Sequence, residues 1–209
     1  MVKVYGSPKS RSLRITWLLE EMGQEYDYQA IDFTQADHRA PAFLAVNPAG
    51  KVPAIQDGEL VISESAAIVA YLADRYSGGS LIPAAGTAQR ARFDQWSYFV
   101  ISELEQPLWT IGKHKFALPE EHRVAAIMAT ARWEFQQALS LLSQGLADND
   151  YLLGQQFSAV DILAAQTLLW GLWFKQPIEQ PNLQAYIERL KSRPAMAAAA
   201  QRELKALPR

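Results

Sequence analysis

The 209-residue sequence predicts an α/β domain of βαβαββα order followed by an all-α bundle. Three observations carry that expectation. Short alternating apolar stretches are confined to the chain before Ser65. A run rich in small residues and proline, Ser77-Gly78-Gly79-Ser80 then Ile82-Pro83-Ala84-Ala85-Gly86, interrupts the pattern. Beyond it the apolar period becomes helical and stays so. The expected division is therefore 1–77 for the α/β domain, 78–86 for a linker and 87–209 for the helical domain.

Val2-Lys3-Val4-Tyr5 reads as a first strand, stopped at Gly6-Ser7-Pro8 because proline cannot continue a ladder. Ser10 precedes a helix-period run through Leu13, Ile15, Trp17, Leu18, Leu19 and Met22, closed by Gly23. Tyr26 to Asp32 alternates as a second strand, which completes a right-handed βαβ unit. Thr34 to Pro41 is irregular and polar, with a short helical turn at Phe43-Leu44. Asp57-Gly58 between Ala54-Ile55-Gln56 and Leu60-Val61-Ile62 signals a hairpin whose two central residues are these two. Helices follow at Ala66–Tyr76, at about 87–118 and at about 120–146, the last break set by Leu118-Pro119 with Pro119 as a first helical residue. From Phe157 the sequence FSAVDILAAQTLLWGLW carries its own start signal. Ser158 is the N-cap, Asp161 completes a capping box, and Phe157 and Ile162 hold staple positions. Two further helices are expected over Asn182–Ser192 and Pro194–Leu204.

About half the residues are apolar, so two cores of useful size are available. A formal charge of −2 and the lack of any basic run give no field for nucleic acid or an anionic membrane surface. No apolar stretch approaches ~18 residues and the first residues do not read as a leader, so a cytoplasmic protein working off the membrane is expected. There is no cysteine, which excludes disulfides and a protein thiol nucleophile. His38, His114 and His122 lack metal-ligand spacing, so no metal is expected. Of the seven basic residues Lys3, Lys9, Arg11, Arg14, Arg39, Lys51 and Arg75, five lie around the early loops or just inside the first helix of an otherwise acidic domain, a distribution suited either to solvated surface or to a small anionic ligand.

The stretch Asn47–Ser65, NPAGKVPAIQDGELVISES, joins a turn, the Val52-Pro53 junction, the hairpin and a helix start. Hydroxyls and free backbone N–H groups gather at Ser63-Glu64-Ser65, where an anion is favoured. A cis bond at Val52–Pro53 would turn the Val52 backbone outward, where a peptide-like ligand adds as a strand. Ser10 reads in two ways, as an ordinary N-cap or as a hydroxyl aimed at a ligand.

NPAGKVPAI followed by DGELVISESAAIVAYLADRY resembles the glutathione-binding segment of the soluble glutathione transferases, and the likeness runs along the whole chain. It implies a thioredoxin-like first domain. KVYGSPKS is similar to the serine-type members of that family, including the plant phi group, which implies Ser10 as the catalytic hydroxyl. Tyr5 is its rival, because other classes use a tyrosine at the end of the first strand; Ser7 and Ser12 are poorer candidates. The resemblance further implies glutathione as co-substrate. Glu64 and Ser65 would meet its γ-glutamyl end, the Val52 backbone, held by Pro53, its central amide, and Lys51, His38 and Arg39 its glycyl carboxylate. His38 and Arg39 read equally as exposed loop residues. A small hydrophobic electrophile would lie between the domains against the first long helix, where Trp109, Lys113 and Phe116 are candidates, with Tyr98, Lys115, Trp170, Trp173 and Phe174 nearby. A homodimer is implied by the family. Two other readings stand beside the transferase: a non-catalytic glutathione-binding or interaction protein on the same fold, and a specialised glutathione-dependent isomerase, dehalogenase or lyase. Organic hydroperoxides are a further electrophile class for the same thiolate.

Overall fold

A computed structural model describes residues 1–207. The chain divides into two compact units, Met1–Ala84 together with the segment from Lys191 onward, and Ala85–Leu190.

The first unit opens with β1 (Val2–Gly6), whose alternate residues Val2, Val4 and Gly6 face the core. Helix α1 (Leu13–Glu21) buries Ile15, Trp17, Leu18 and Leu19. It begins at Leu13, three residues after Ser10, because Lys9 takes a left-handed φ of 62° and Ser12 occupies the N-cap position. Strand β2 (Tyr26–Ala30) runs parallel to β1, shorter than the expected Tyr26–Asp32 because the Asp32 carboxylate turns to cap Thr34. A 3-10 turn (Asp37–Arg39) and α2 (Pro41–Leu44) follow, then β3 (Ala54–Asp57), β4 (Leu60–Ser63) and α3 (Ser65–Tyr76). The sheet order is β2-β1-β3-β4, with β3 antiparallel to both of its neighbours. This is the βαβαββα order that the sequence predicts. The hairpin turn, however, lies one residue later than expected. Asp57 pairs with Leu60, Gly58 alone takes a positive φ of 61°, and the Asp57 carboxylate instead accepts from Tyr71 at 2.9 Å and Tyr76 at 2.6 Å.

In the second unit, Thr87 caps α4 (Ala88–Phe99) by accepting from the Arg90 N–H at 3.1 Å. The helix continues through a π-helical segment (Val100–Glu105), α5 (Gln106–Gly112) and a second π-helical segment (Lys113–Ala117). Helix α6 (Ile127–Leu146) starts later than Pro119 suggests. The Arg123 guanidinium donates to the carbonyls of Leu118 and Phe116, and His114 Nδ1 accepts from the Val124 N–H, so residues 118–124 are tied to the preceding helix end. Helix α7 (Ala159–Trp173) is buried on nearly every face over its first three turns, and its capping box forms as predicted, with the Ser158 N–H donating to Asp161 Oδ2 at 2.8 Å. Helix α8 (Pro181–Lys191) presents Leu183, Tyr186, Ile187 and Leu190 to this core.

Helix α9 (Pro194–Lys205) departs from the expected division, which groups it with the helical domain. It packs on α1 within the first unit. Arg193 makes a two-pronged pair with Glu21 at 2.5 and 2.7 Å, Arg202 donates to the Tyr26 carbonyl at 2.6 Å, and Glu203 meets Thr16. Its sequence looks like any terminal helix; only these distant partners assign it.

Candidate functional site

The register of the sheet gathers the sequence candidates at one end of it. Because β1 and β2 run parallel, with Gly6 opposite Ala30, the loops after both strands leave the same edge, and the Ile31 N–H donates to the Gly6 carbonyl at 2.7 Å. Because β3 is antiparallel to β1, with Tyr5 opposite Ala54, the residues leading into β3 arrive where β1 ends. Ala54 also pairs with Ser63, so the start of α3 joins the same group. The loop with Ser10, the Lys51-Val52-Pro53 segment and Glu64-Ser65 therefore share one edge.

Ser10 is half-buried in the turn before α1. Its Oγ accepts from the Ser12 N–H at 3.1 Å and lies 2.6 Å from Ser12 Oγ. Ser12 is wholly buried and committed to the loop, accepting from the Ser7 N–H at 3.0 Å and donating to the Ser7 carbonyl at 2.8 Å. Tyr5 lies on the opposite side of β1 from Val4 and Gly6. Its ring packs against the cluster of Ile31, Phe43 and Val52, and its hydroxyl donates to Gln56 at 3.4 Å.

The Val52–Pro53 bond is cis. Strand β3 begins only at Ala54, so the Val52 backbone stands ahead of the ladder while its side chain packs with Ile31 and Phe43. The preceding turn is held by Asn47, whose side chain donates to the Lys51 carbonyl at 2.7 Å and accepts from the Ala49 N–H at 3.1 Å. Gly50, at φ 63°, lies so close to the His38 carbonyl that a Cβ there would sit 2.8 Å from it, with Arg39 Nη1 at 3.6 Å. That packing sets the loop carrying half-buried His38 and exposed Arg39 beside exposed Lys51, three cationic or titratable side chains on one rim. Glu64 adopts φ 69° and ψ 108° immediately before α3, a backbone state that non-glycine residues rarely take and that clusters at ligand sites. Its side chain is exposed, and Ser65 behind it is buried.

One contributor escaped the sequence reading as a site residue. Arg14, 0% exposed on α1, donates from Nη1 to Ser65 Oγ at 2.8 Å. Its signal is a charged residue inside the apolar run from Leu13 to Leu19. In the second unit, Trp109 and Lys113 are half-buried and Phe116 is exposed. Trp109 faces Trp170 with ring centres 6.4 Å apart, and Phe116 meets Phe174 edge-on at 6.2 Å, forming an aromatic wall on the end of α5 and α7. Among the described residues no cluster of acidic or histidine side chains is placed to hold a metal, and no helix is long and apolar enough to cross a membrane.

Models of the glutathione S-transferase N-terminal domain and C-terminal domain match residues 1–74 and 106–194. Glutathione S-transferase 3 of Zea mays is 31% identical over 228 residues, covering 99% of this chain and 95% of that one. The solved structure of a glutathione transferase from Methylococcus capsulatus superposes with a TM-score of 0.87 at 29% identity, over 98% of this chain and 100% of its own. A sphingomonad glutathione S-transferase, solved complexed with glutathione, gives 0.83 at 30% identity over 96% and 98%. With both domain models matched in chain order and a 31% identical relative spanning nearly the full length, the chain belongs to the glutathione S-transferase family.

Proposed function

We propose that this glutathione transferase binds glutathione at the shared edge of its sheet and uses the Ser10 hydroxyl to hold the sulfur as thiolate for attack on small hydrophobic electrophiles, organic hydroperoxides among them. The observation that carries the reading is the hydrogen bonding of Ser10 itself. Its oxygen accepts from the Ser12 N–H and lies 2.6 Å from Ser12 Oγ, so the loop holds the hydroxyl in place ahead of α1. A glutathione thiol with an ordinary pKa near ~8.5 is only a few per cent ionised at neutral pH. One charge-assisted hydrogen bond plus the field of a helix start supplies roughly 2–4 kcal/mol. At about 1.4 kcal/mol per pK unit that depresses the thiol by one to two units or slightly more, enough to make thiolate the main species. No general base is then required, and the remaining task is to position the electrophile.

Around the sulfur the ligand's other groups find partners of the right sign. Ser65 and the Arg14 guanidinium behind it suit the γ-glutamyl carboxylate, and Glu64 its ammonium. The Val52 backbone, beside Pro53, suits the central amide. Lys51, His38 and Arg39 suit the glycyl carboxylate. Trp109, Lys113 and Phe116 are the proposed contacts of the electrophile. A homodimer in the cytoplasm goes with this reading. Tyr5 is disfavoured because its hydroxyl is turned to Gln56.

The test compares Ser10→Ala with Tyr5→Phe, following turnover of a nitro-activated aryl chloride and the pH titration of bound thiolate by its ultraviolet absorbance. Ser10→Ala is expected to return the thiol pKa toward its free value and to cut turnover at neutral pH by 10-fold or more, by about one lost pK unit. Tyr5→Phe is expected to change neither; the opposite pattern overturns the assignment.

A further inference from the structure

The aromatic wall of the second unit is built around a glycine. A Cβ placed on Gly112, at the end of α5, would lie 3.5 Å from Trp109 Cε3, Phe116 Cζ and Phe174 Cζ, so three rings from the ends of α5 and α7 converge over its bare backbone. Trp170 joins them, with its ring centre 6.4 Å from that of Trp109 and 5.4 Å from that of Phe174. Phe174 meets Trp170 and Phe116 edge-on, at 75° and 86°, the geometry that the ring quadrupoles favour. None of the four rings is fully buried, and Phe116 is 55% exposed. A contiguous exposed aromatic face marks a binding surface, and electron-rich indole and phenyl rings suit a planar, electron-poor one.

Lys113 settles the charge of what fits there. It stands four positions after Trp109 and three before Phe116, on the same side of the helix and its π-helical continuation. It is half-buried, and its ammonium forms no ion pair, hydrogen bond or ring contact among the described residues. Glu120, the acid nearest to it in sequence, is exposed in the following 3-10 turn. A cation held partly out of water without a counter-charge favours an anion beside it. We propose that this face selects aromatic electrophiles that carry an acid group, such as ring-chlorinated nitrobenzoates, with the ring against Trp109, Phe116 and Phe174 and the carboxylate on Lys113. The glutathione sulfur bonds to the ring carbon that bears the chlorine, the carbon–chlorine bond breaks, and chloride leaves with the bonding electrons. The inference rests on the electrophile contacts given above and narrows them from hydrophobic compounds in general to planar anions.

A chlorodinitrobenzoate and the carboxamide of the same ring test it, because they share shape and leaving group and differ in charge. With each rate taken relative to the uncatalysed reaction with glutathione, wild-type kcat/KM is expected to favour the acid by about tenfold, as one hydrogen bond to a charged group supplies. Lys113→Met is expected to abolish that ratio and Lys113→Arg to keep it, while added salt reduces it in the wild type. Calorimetric binding of the chlorine-free dinitrobenzoate and its carboxamide makes the same comparison with no chemistry at sulfur, and the wild-type comparison decides alone should Lys113→Met not fold. If the acid is preferred in binding while neither chlorinated compound turns over, the thiolate reading fails and the anion preference of this face stands. Equal turnover and equal binding of acid and amide, or a preference that survives in Lys113→Met, overturns the inference and leaves the transferase reading intact. If neither compound binds and dilution of the protein shifts its tryptophan emission, a second copy of the chain covers this face and the inference is overturned.

Discussion

Arg14 Nη1 donates to Ser65 Oγ at 2.8 Å, joining the first turn of α1 to the first residue of α3 across 51 positions of sequence. Arg14 is wholly buried and Ser65 nearly so, and a hydrogen bond from a charged donor is worth roughly 1.5–3 kcal/mol when its acceptor is held in place. Arg14→Gln is therefore expected to raise the KM for glutathione by about ten- to a hundredfold while changing kcat little, since on the proposed reading the pair meets the γ-glutamyl end of the ligand and not its sulfur. Ser65→Ala should act in the same direction, and the double variant should fall short of the product of the two because they remove one interaction. Multiplicative losses, or a loss confined to kcat, would count against this pairing.

How much of this was legible beforehand follows from the range of the interactions. The hairpin, the Ser158–Asp161 box and the Val52-Pro53 turn are local devices, made by residues within a few positions of one another, and the chain spells them out. Ser10 was legible as a hydroxyl ahead of a helix, but its neighbour Ser12 was not legible as a buried junction. That burial depends on Gly6 and Tyr28 from β1 and β2 closing over it. Arg14 was legible only as a charge in an apolar run, and Glu203, between Arg202 and Leu204, not at all, since their partners are 51 and 187 residues away. Helix periodicity places such residues on the inner face but cannot say what they meet there. The turn slipped by one residue at Asp57 for the same reason: Tyr71 and Tyr76, from the next helix, claim its carboxylate.

Gly6 ends β1 where the Ser10 loop begins. A Cβ there would stand 2.6 Å from Ser12 Cβ and 2.7 Å from the Tyr28 hydroxyl, distances that real contacts do not reach. Since Ser12 Cβ is fixed to backbone, the loop and not only the tyrosine must move. Gly6→Ala is expected to cost about 1–3 kcal/mol by overpacking. It should also lower turnover beyond what the stability loss explains, because the displaced segment carries Ser10. Urea unfolding together with kcat at saturating glutathione checks both. A variant that is destabilised but fully active would show that the loop absorbs the methyl without moving Ser10.

Asp161 and Tyr186 anchor the second unit. The Tyr186 hydroxyl donates to Asp161 Oδ1 at 2.6 Å, the Leu152 N–H to the same oxygen at 2.9 Å, and the Ser158 N–H and hydroxyl to Oδ2 at 2.8 and 2.9 Å. Four buried donors thus depend on one carboxylate. Tyr186→Phe removes one of four and is expected to cost about 1–2 kcal/mol. Asp161→Asn turns an N–H2 group toward donors and is expected to cost about 3 kcal/mol or more, because a buried donor is then left unmet. The order of these two losses in urea unfolding is the check. Equal losses would place the energy in the tyrosine bond alone.

Glu203 also makes stability depend on pH, with a sign opposite to that of a surface carboxylate. Its ordinary pKa of 4.5 is raised in the folded protein to about 8, by burial first, so between those values the native state holds a proton that the unfolded chain has released. Stability falls wherever the native state binds the extra proton and pH rises, with a slope of about 1.4 kcal/mol per pH unit for one group. The contribution is complete below about 4.5, declines through the window and is lost above about 8. Glu203→Gln cannot ionise, so its unfolding free energy relative to wild type should improve steadily from acid to mildly alkaline pH. Denaturant unfolding at several pH values across that range measures the difference. A gap between the two proteins that stays constant with pH would mean that Glu203 ionises in the folded state as easily as in water.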